Sequence, residues 1–420
     1  MKKQMVRGMV AAAVSAACLG NVAFAGELKV WAWDPHFNVA IMEKAASEFE
    51  ANNEGVDIKV IDYAKADIEQ KLHTMLASRV TSELPDIVLI EDYNAQKYLQ
   101  SYPGSFEKLT GKVDHSQFAP YKVNLMTMGS DVYGVPFDSG VTGLYYRTDI
   151  LEKAGFKAED LQNITWDRFI EIGKVVKEKT GISFAVYDPS DMGLVRVMLQ
   201  SAGSWYFNED GSLNIEGNKA LEKALSTYAE LFTSGITRPN SGWSEWVGAI
   251  NSGRAATITT GVWITGSVKA ANDQQGKWAV APTPRLDIEG SKNASNLGGS
   301  SWYVLSSSKN KDEAIKFLKD TYTNNPTFYD EILVERGAVG SYAASKNSKG
   351  YQQPQEYFGG QEVFAEFSEW MQEIPSVNYG MYTYEVDAAL AAQLPAIMQG
   401  APVSALLTNV EQELKYSIAY

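Results

Sequence analysis

The chain of 420 residues contains one cysteine, Cys18, and three histidines, His36, His73 and His115. Cys18 falls in an N-terminal leader. Lys2, Lys3 and Arg7 make a basic start, residues 8–22 are mostly small and apolar, and Ala23-Phe24-Ala25 has the form of a signal-peptide cleavage site. A mature chain starting at Gly26 would hold no cysteine, which excludes disulfides, a thiol nucleophile and thiolate metal ligands. The rival reading of Ser15-Ala16-Ala17-Cys18 as a lipoprotein site fits less well, because Ser15 stands where such sites carry leucine. The leader's apolar run is too short to anchor the chain in a membrane. The histidines lie in separate segments, so no His-based metal site is expected.

Enzyme signatures are missing as well. There is no HExxH, no GxSxG and no GxGxxG. GSFEKLTGK (104–112) is too widely spaced for a phosphate loop, and Val113 follows where Ser or Thr is needed. A glycosidase needs only two carboxylates, and among 51 acidic residues motif alone picks out no pair. Excess positive charge is lacking too: the net charge is −14, and losing the leader's three basic residues makes the mature chain more acidic still. That argues against nucleic acid or an anionic membrane surface as partner.

What is present is an ordinary globular composition, 45% apolar and 21% charged, long enough for two or three domains. LKVWAWD (28–34) opens as a strand, with Leu28, Val30 and Ala32 on one face and Trp31 and Trp33 on the other. FNVAIMEKAASEFE (37–50) repeats apolar residues every four positions and predicts a helix. VDIKVID (56–62) is a second strand, DIEQKLHTMLASRV (67–80) a second helix, and PDIVLIED (85–92) a strand buried on both faces. This is a β-α-β-α-β unit. With strands in the order 2-1-3, the carboxyl ends of strands one and three flank a switch point where open α/β sheets bind ligands. Trp33 and Asp34 end the first strand; Glu91, Asp92 and Tyr93 end the third.

The glycines and proline of DVYGVPFDSG (131–140) mark a crossing into a second lobe, and the polar, glycine-rich 283–301 marks a return. Between them GLYYRTD (143–149), ISFAVYD (182–188) and AATITTG (255–261) read as strands. TWDRFIEIGKVVKEKTG (165–181) reads as a helix capped by Thr165 and stopped by Gly181. WYFNEDGSLNI (205–215) reads as a hairpin.

The order and spacing of LKVWAWD, PDIVLIED, VYGVPFDSGVTGLYYRTDILEKAGF, TWDRFIEIGKVV, GRAATITTGVW and GGSSWYVLSSSKNKDEAIKFLKD resembles the family-1 extracellular solute-binding proteins of ABC sugar importers, relatives of maltose-binding protein. The opening is most similar to lactose- and arabinose-type binding proteins. The resemblance spans essentially the whole mature chain and implies the two-lobe type II fold: each lobe an open, mostly parallel α/β sheet flanked by helices, with a hinge between. The lobes would be 26–136 plus 286–342 and 137–285 plus 343–420. It further implies a periplasmic receptor, a monomer without cofactor, that captures a neutral mono- or oligosaccharide by lobe closure and passes it to membrane permease subunits. The alternatives are a receptor for a non-sugar solute and a secreted carbohydrate-active enzyme. Tyr145-Tyr146 invites an iron-receptor reading, but consecutive strand residues face opposite ways.

A pyranose has C–H faces that match aromatic rings and hydroxyls that match carboxylates, amides and arginine. Trp33 and Asp34 are the first candidates, the plain alternative being a core tryptophan beside a helix-capping Asp34; Trp31, inside its strand, reads as core. Glu91 and Asp92 either touch ligand or cap the next helix. Asp138 matches a family position near the cleft, or is a turn residue. Trp243 is preferred to Trp205 and Trp246, and Trp263 lies in the GVW element that faces ligand in the resembling proteins. Gly298, Gly299 and Ser300 allow close backbone approach to a ligand or form a simple turn. Trp302 is site or core, and Arg336 either reads hydroxyls or caps a helix.

Overall fold

The computed structural model describes residues 26–323 and 325–418. The leader, its cleavage site and Cys18 lie outside them.

Strands β1 (Glu27–Ala32), β2 (Asp57–Asp62) and β3 (Ile87–Glu91) come first, separated by helices Asn38–Asn52 and Lys65–Ser78. A short ribbon, β4 (Thr127–Met128) with β5 (Asp131–Val132), precedes β6 (Gly134–Pro136). The chain then forms β7 (Thr142–Arg147), β8 (Ala185–Tyr187), β9 (Thr237–Pro239), β10 (Thr257–Gly261) and β11 (Trp278–Pro282), and returns with β12 (Ser300–Val304).

The first sheet has the order β2-β1-β3-β12-β6, so β1 and β3 are neighbours, as the β-α-β-α-β pattern requires. β1 pairs in parallel with both β2 and β3. Its alternation sends Leu28, Val30 and Ala32 into one apolar layer and Trp31 into the other, where Trp31 packs edge-on against Tyr63. β3 is buried on both faces, as its uninterrupted apolar run demands.

The sheets are less parallel than expected. β12 runs antiparallel to both β3 and β6. It reaches the sheet from the distant β11 rather than through a βαβ crossover, and begins beside the end of β3, with Ser300 opposite Glu91. The second main sheet, β10-β7-β11, is antiparallel throughout; β8 and β9 form a separate parallel pair beside it, linked by the parallel bridge Ser183–Ala255 between the segments that precede β8 and β10.

Helix Trp166–Thr180 begins where Thr165 accepts the Arg168 N–H at 3.2 Å and ends at Gly181 with a positive φ of 72°. The expected hairpin at 205–215 is present in minimal form: Phe207 and Leu213 make an antiparallel bridge, Asn214 N–H donates to the Tyr206 carbonyl at 2.8 Å and Asn208 N–H to Ser212 at 2.9 Å, and Asp210 accepts the Ser212 N–H inside the turn. Between the two sheets three segments run side by side. Ser139 N–H donates to the Val339 carbonyl, Leu297 N–H to Gly140 and Thr142 N–H to Ser295, all at 2.8–2.9 Å. Among the described residues no helix is long and apolar enough to cross a membrane.

Candidate ligand-binding site

A cavity of about 570 Å³ opens between the carboxyl ends of β1 and β3 on one side and the ends of β8 and β10 on the other. Of the sequence candidates it gathers Trp33, Glu91, Asp138, Trp243, Trp263, Gly298, Gly299 and Ser300 in its lining.

On the first side, Trp33 follows β1 directly and is half-buried. The next residue turns away. Asp34 has φ 65°, its carbonyl accepts the N–H groups of Phe37 and Val39, and its Oδ1 accepts the His36 N–H at 3.1 Å. Asp34 is therefore an exposed turn residue and does not line the cavity. Glu91, at the end of β3, accepts hydrogen bonds from Lys65 Nζ and, at 2.6 Å, from the Tyr384 hydroxyl. Asp92 is only 1% exposed and paired with the buried Lys122 below the floor. Consecutive residues part here because Glu91 closes a strand while Asp92 opens a helix.

The floor is the backbone of 298–300. Gly298 and Gly299 have φ of 86° and 94°, and a Cβ on Gly299 would come within 2.8 Å of Asp92 Oδ2, so glycine is required there. Ser300 N–H donates to Asp138 Oδ1 at 2.7 Å. Burial pushes the Asp138 carboxyl up to about 6, with the Lys122 ammonium drawing it back.

The opposite wall is aromatic. Trp243, Trp246 and Trp263 form a cluster with ring centroids 5.6–6.2 Å apart. Trp263 Nε1 donates to the Leu297 carbonyl at 2.9 Å and Trp246 Nε1 to Val186 at 3.1 Å, which fixes both rings, whereas Trp243 is 53% exposed. The Trp263 indole folds back over Gly261, where a Cβ would lie 2.1 Å from its Nε1.

Two further candidates lie elsewhere. Trp302 is fully buried, 5.6 Å from the Phe137 ring. It stands two residues into β12, on the face turned to the core, so it does not reach the cleft. Arg336 ends helix Pro326–Arg336 before Gly337 and lies exposed in a separate groove with His36 and Lys269. Trp205 and the pair Tyr145-Tyr146 are core residues.

Sequence reasoning passed over much of the far wall. Tyr187 ends β8 and Asp188 and Asp191 follow it; the strand is legible as ISFAVYD (182–188), so the carboxyl-end rule used for β1 and β3 points to them as well. Arg196 sits in the buried helix Gly193–Ser201; its guanidinium lies 4.4 Å from the Tyr93 ring and 5.4 Å from that of Tyr384, and its Nε is 3.4 Å from Asp387 Oδ2. The cation inside LVRVML was the one available signal. Nothing local marked Tyr384 or Asn240.

Chemically the cavity offers broad ring faces on one side and, around them, the carboxylates Glu91, Asp138, Asp188 and Asp191 with one guanidinium. That suits a ligand with an apolar face and a polar edge. Among the described residues no group of His, Cys, Asp and Glu is placed to hold a metal ion.

The family model for bacterial extracellular solute-binding proteins matches residues 44–359. A lactose-binding protein of Rhizobium radiobacter is 56% identical over 412 residues, covering 98% of each chain. An arabinooligosaccharide-binding protein of Halalkalibacterium halodurans is 25% identical over 74% of this chain and 71% of its own. The same fold is found in the sugar-binding protein MalE of Xanthomonas citri, with a TM-score of 0.80 at 16% identity over 94% of this chain and 98% of that one.

Proposed function

This chain belongs to the bacterial extracellular solute-binding proteins, and from that membership we propose that it is a periplasmic sugar receptor of an ABC importer. It captures a neutral mono- or oligosaccharide, with lactose the first candidate, and hands it unchanged to the permease subunits. The relative at 56% identity is named for lactose, which is why that disaccharide heads the order of testing. It acts as a monomer, with lobes of 26–136 plus 286–342 and 137–285 plus 343–420 closing about a hinge.

One observation carries the reading: indoles and carboxylates from segments more than two hundred residues apart, Trp33 and Trp263 among them, line one cavity. Its volume is within the range of about 300–1,000 Å³ for small-molecule sites. Stacking on the indoles supplies affinity; the buried polar groups supply selectivity, because a ligand lacking the matching hydroxyl leaves them unpaired. Four carboxylates face one arginine that Asp387 already balances, a setting that disfavours an anionic ligand.

The test is a thermal-shift screen over mono-, di- and trisaccharides, followed by calorimetry and recovery of the sugar. A ligand that binds only the folded state raises the midpoint. The reading expects a shift with at least one neutral sugar, recovered intact. No shift with any of them, or turnover of the bound sugar, overturns it.

A further inference from the structure

Below the cleft floor lies an ion pair shut off from water. Lys122 is 0% and Asp92 1% exposed, with Nζ 2.6 Å from Oδ2. The same ammonium donates to the Ser300 carbonyl at 2.9 Å. Asp92 accepts the Ser301 hydroxyl at 3.2 Å, and its own N–H donates to the Gly299 carbonyl at 3.0 Å. One residue nearer the cavity, Ser300 N–H holds Asp138 Oδ1. One cation, two carboxylates and the floor backbone thus form a single network. Of the two carboxylates, only Asp138 lines the cavity.

Burying such a pair is costly, and an apolar replacement of similar volume is often neutral or stabilising. Stability alone therefore gives little reason for a lysine here. We propose that Lys122, which lines no part of the cavity, is a positioning residue of the site: it fixes the course of the Gly298–Ser300 floor and keeps Asp138 ionised as a ready acceptor for a ligand hydroxyl. This rests on reading the cavity as the sugar site.

The charges around Asp138 support it. The ionisable groups acting on it are Lys122 from helix Pro120–Leu125, Asp92 from helix Asp92–Ser101, and the phenols Tyr121 and Tyr322. Lys122 lowers the proton affinity of Asp138 and Asp92 raises it. Two carboxylates left together without the ammonium could not both stay ionised cheaply. The two partners therefore act on Asp138 in opposite directions, so removing each should move its titration the opposite way.

The experiment titrates the Asp138 carboxyl carbon by NMR in the ligand-free protein, assigned by its loss in Asp138→Asn. Wild type should titrate near pH 6. Lys122→Met should move the midpoint up by at least one pH unit, and Asp92→Asn should move it down. Each single variant leaves one buried partner unpaired, so the joint replacement Lys122→Met/Asp92→Asn keeps the test open should either fail to fold: Lys122 acts on Asp138 more strongly than Asp92 does, and the midpoint should still rise. In parallel, lactose affinity measured from pH 5 to pH 8 should fall about twofold at pH 7 in Lys122→Met for a one-unit shift, and further for a larger one, with the acid limb moved to higher pH. Its acid limb should move to lower pH in Asp92→Asn. If lactose binds wild type and both variants alike, or if the Asp138 midpoint stays put or moves the same way in both, the proposal is overturned. Failure of every sugar to bind wild type would instead refute the sugar reading, and the NMR titration would still decide the role of Lys122.

Discussion

Replacing Trp263 by alanine should weaken sugar binding by roughly two orders of magnitude while the protein stays folded. The ring is held by its N–H bond to Leu297 and by contacts with Trp243 and Trp246, so it is presented in one orientation. A tryptophan offers about 150–250 Å² in all, and most of this one is already covered. About 50 Å² remains for a ligand, matched by a similar area of sugar C–H surface, so about 100 Å² leaves water on binding. At about 25 cal/mol per Å² this is worth about 2.5 kcal/mol, or roughly 70-fold in Kd. Calorimetry with lactose on wild type, Trp263→Ala and Trp263→Phe measures it, with circular dichroism confirming the fold. Phenylalanine should recover part of the loss, since it restores a ring without the N–H anchor. A Trp263→Ala protein that is folded and binds within twofold of wild type would refute the stacking argument.

Other substitutions separate cleft from core. Trp302→Ala should cost about 3–5 kcal/mol of unfolding free energy in urea titrations, because a fully buried indole leaves a cavity behind. Gly299→Ala should destabilise by at least about 1–2 kcal/mol, as its φ of 94° opposes a side chain and Asp92 occupies the space. Arg336→Ala should leave lactose affinity unchanged, since Arg336 lies in another groove. Affinity should decline as pH drops through about 6 and recover above it, because burial pushes the Asp138 carboxyl up to about 6 and only its ionised form accepts hydrogen bonds with both oxygens.

The first half of the fold was legible because its strands and helices carry full periodicities. β1, β2 and β3 each span five or six residues, and their order puts Trp33 and Glu91 beside the cavity. The second half's contribution follows β8, which the sequence shows as ISFAVYD (182–188), but that its end faces the crevice of the first sheet depends on packing across the cavity and not on local pattern. Trp302 and Trp263 look alike as text, each next to small residues at the edge of a strand. The register of β12 against β3 separates them, and register depends on a partner more than two hundred residues away. Asp92 and Lys122 likewise read as an ordinary strand-end acid and an ordinary helix lysine. Only packing shows that they meet under the floor.

The most direct measurement of the central claim is a crystal structure grown with lactose, or with whichever sugar gives the largest thermal shift. The account predicts a sugar ring between the two sheets, its C–H face against Trp263 or Trp33 and its hydroxyls on Glu91, Asp138 or Arg196. Density for the sugar outside this cavity, with those indoles and carboxylates untouched, would contradict it.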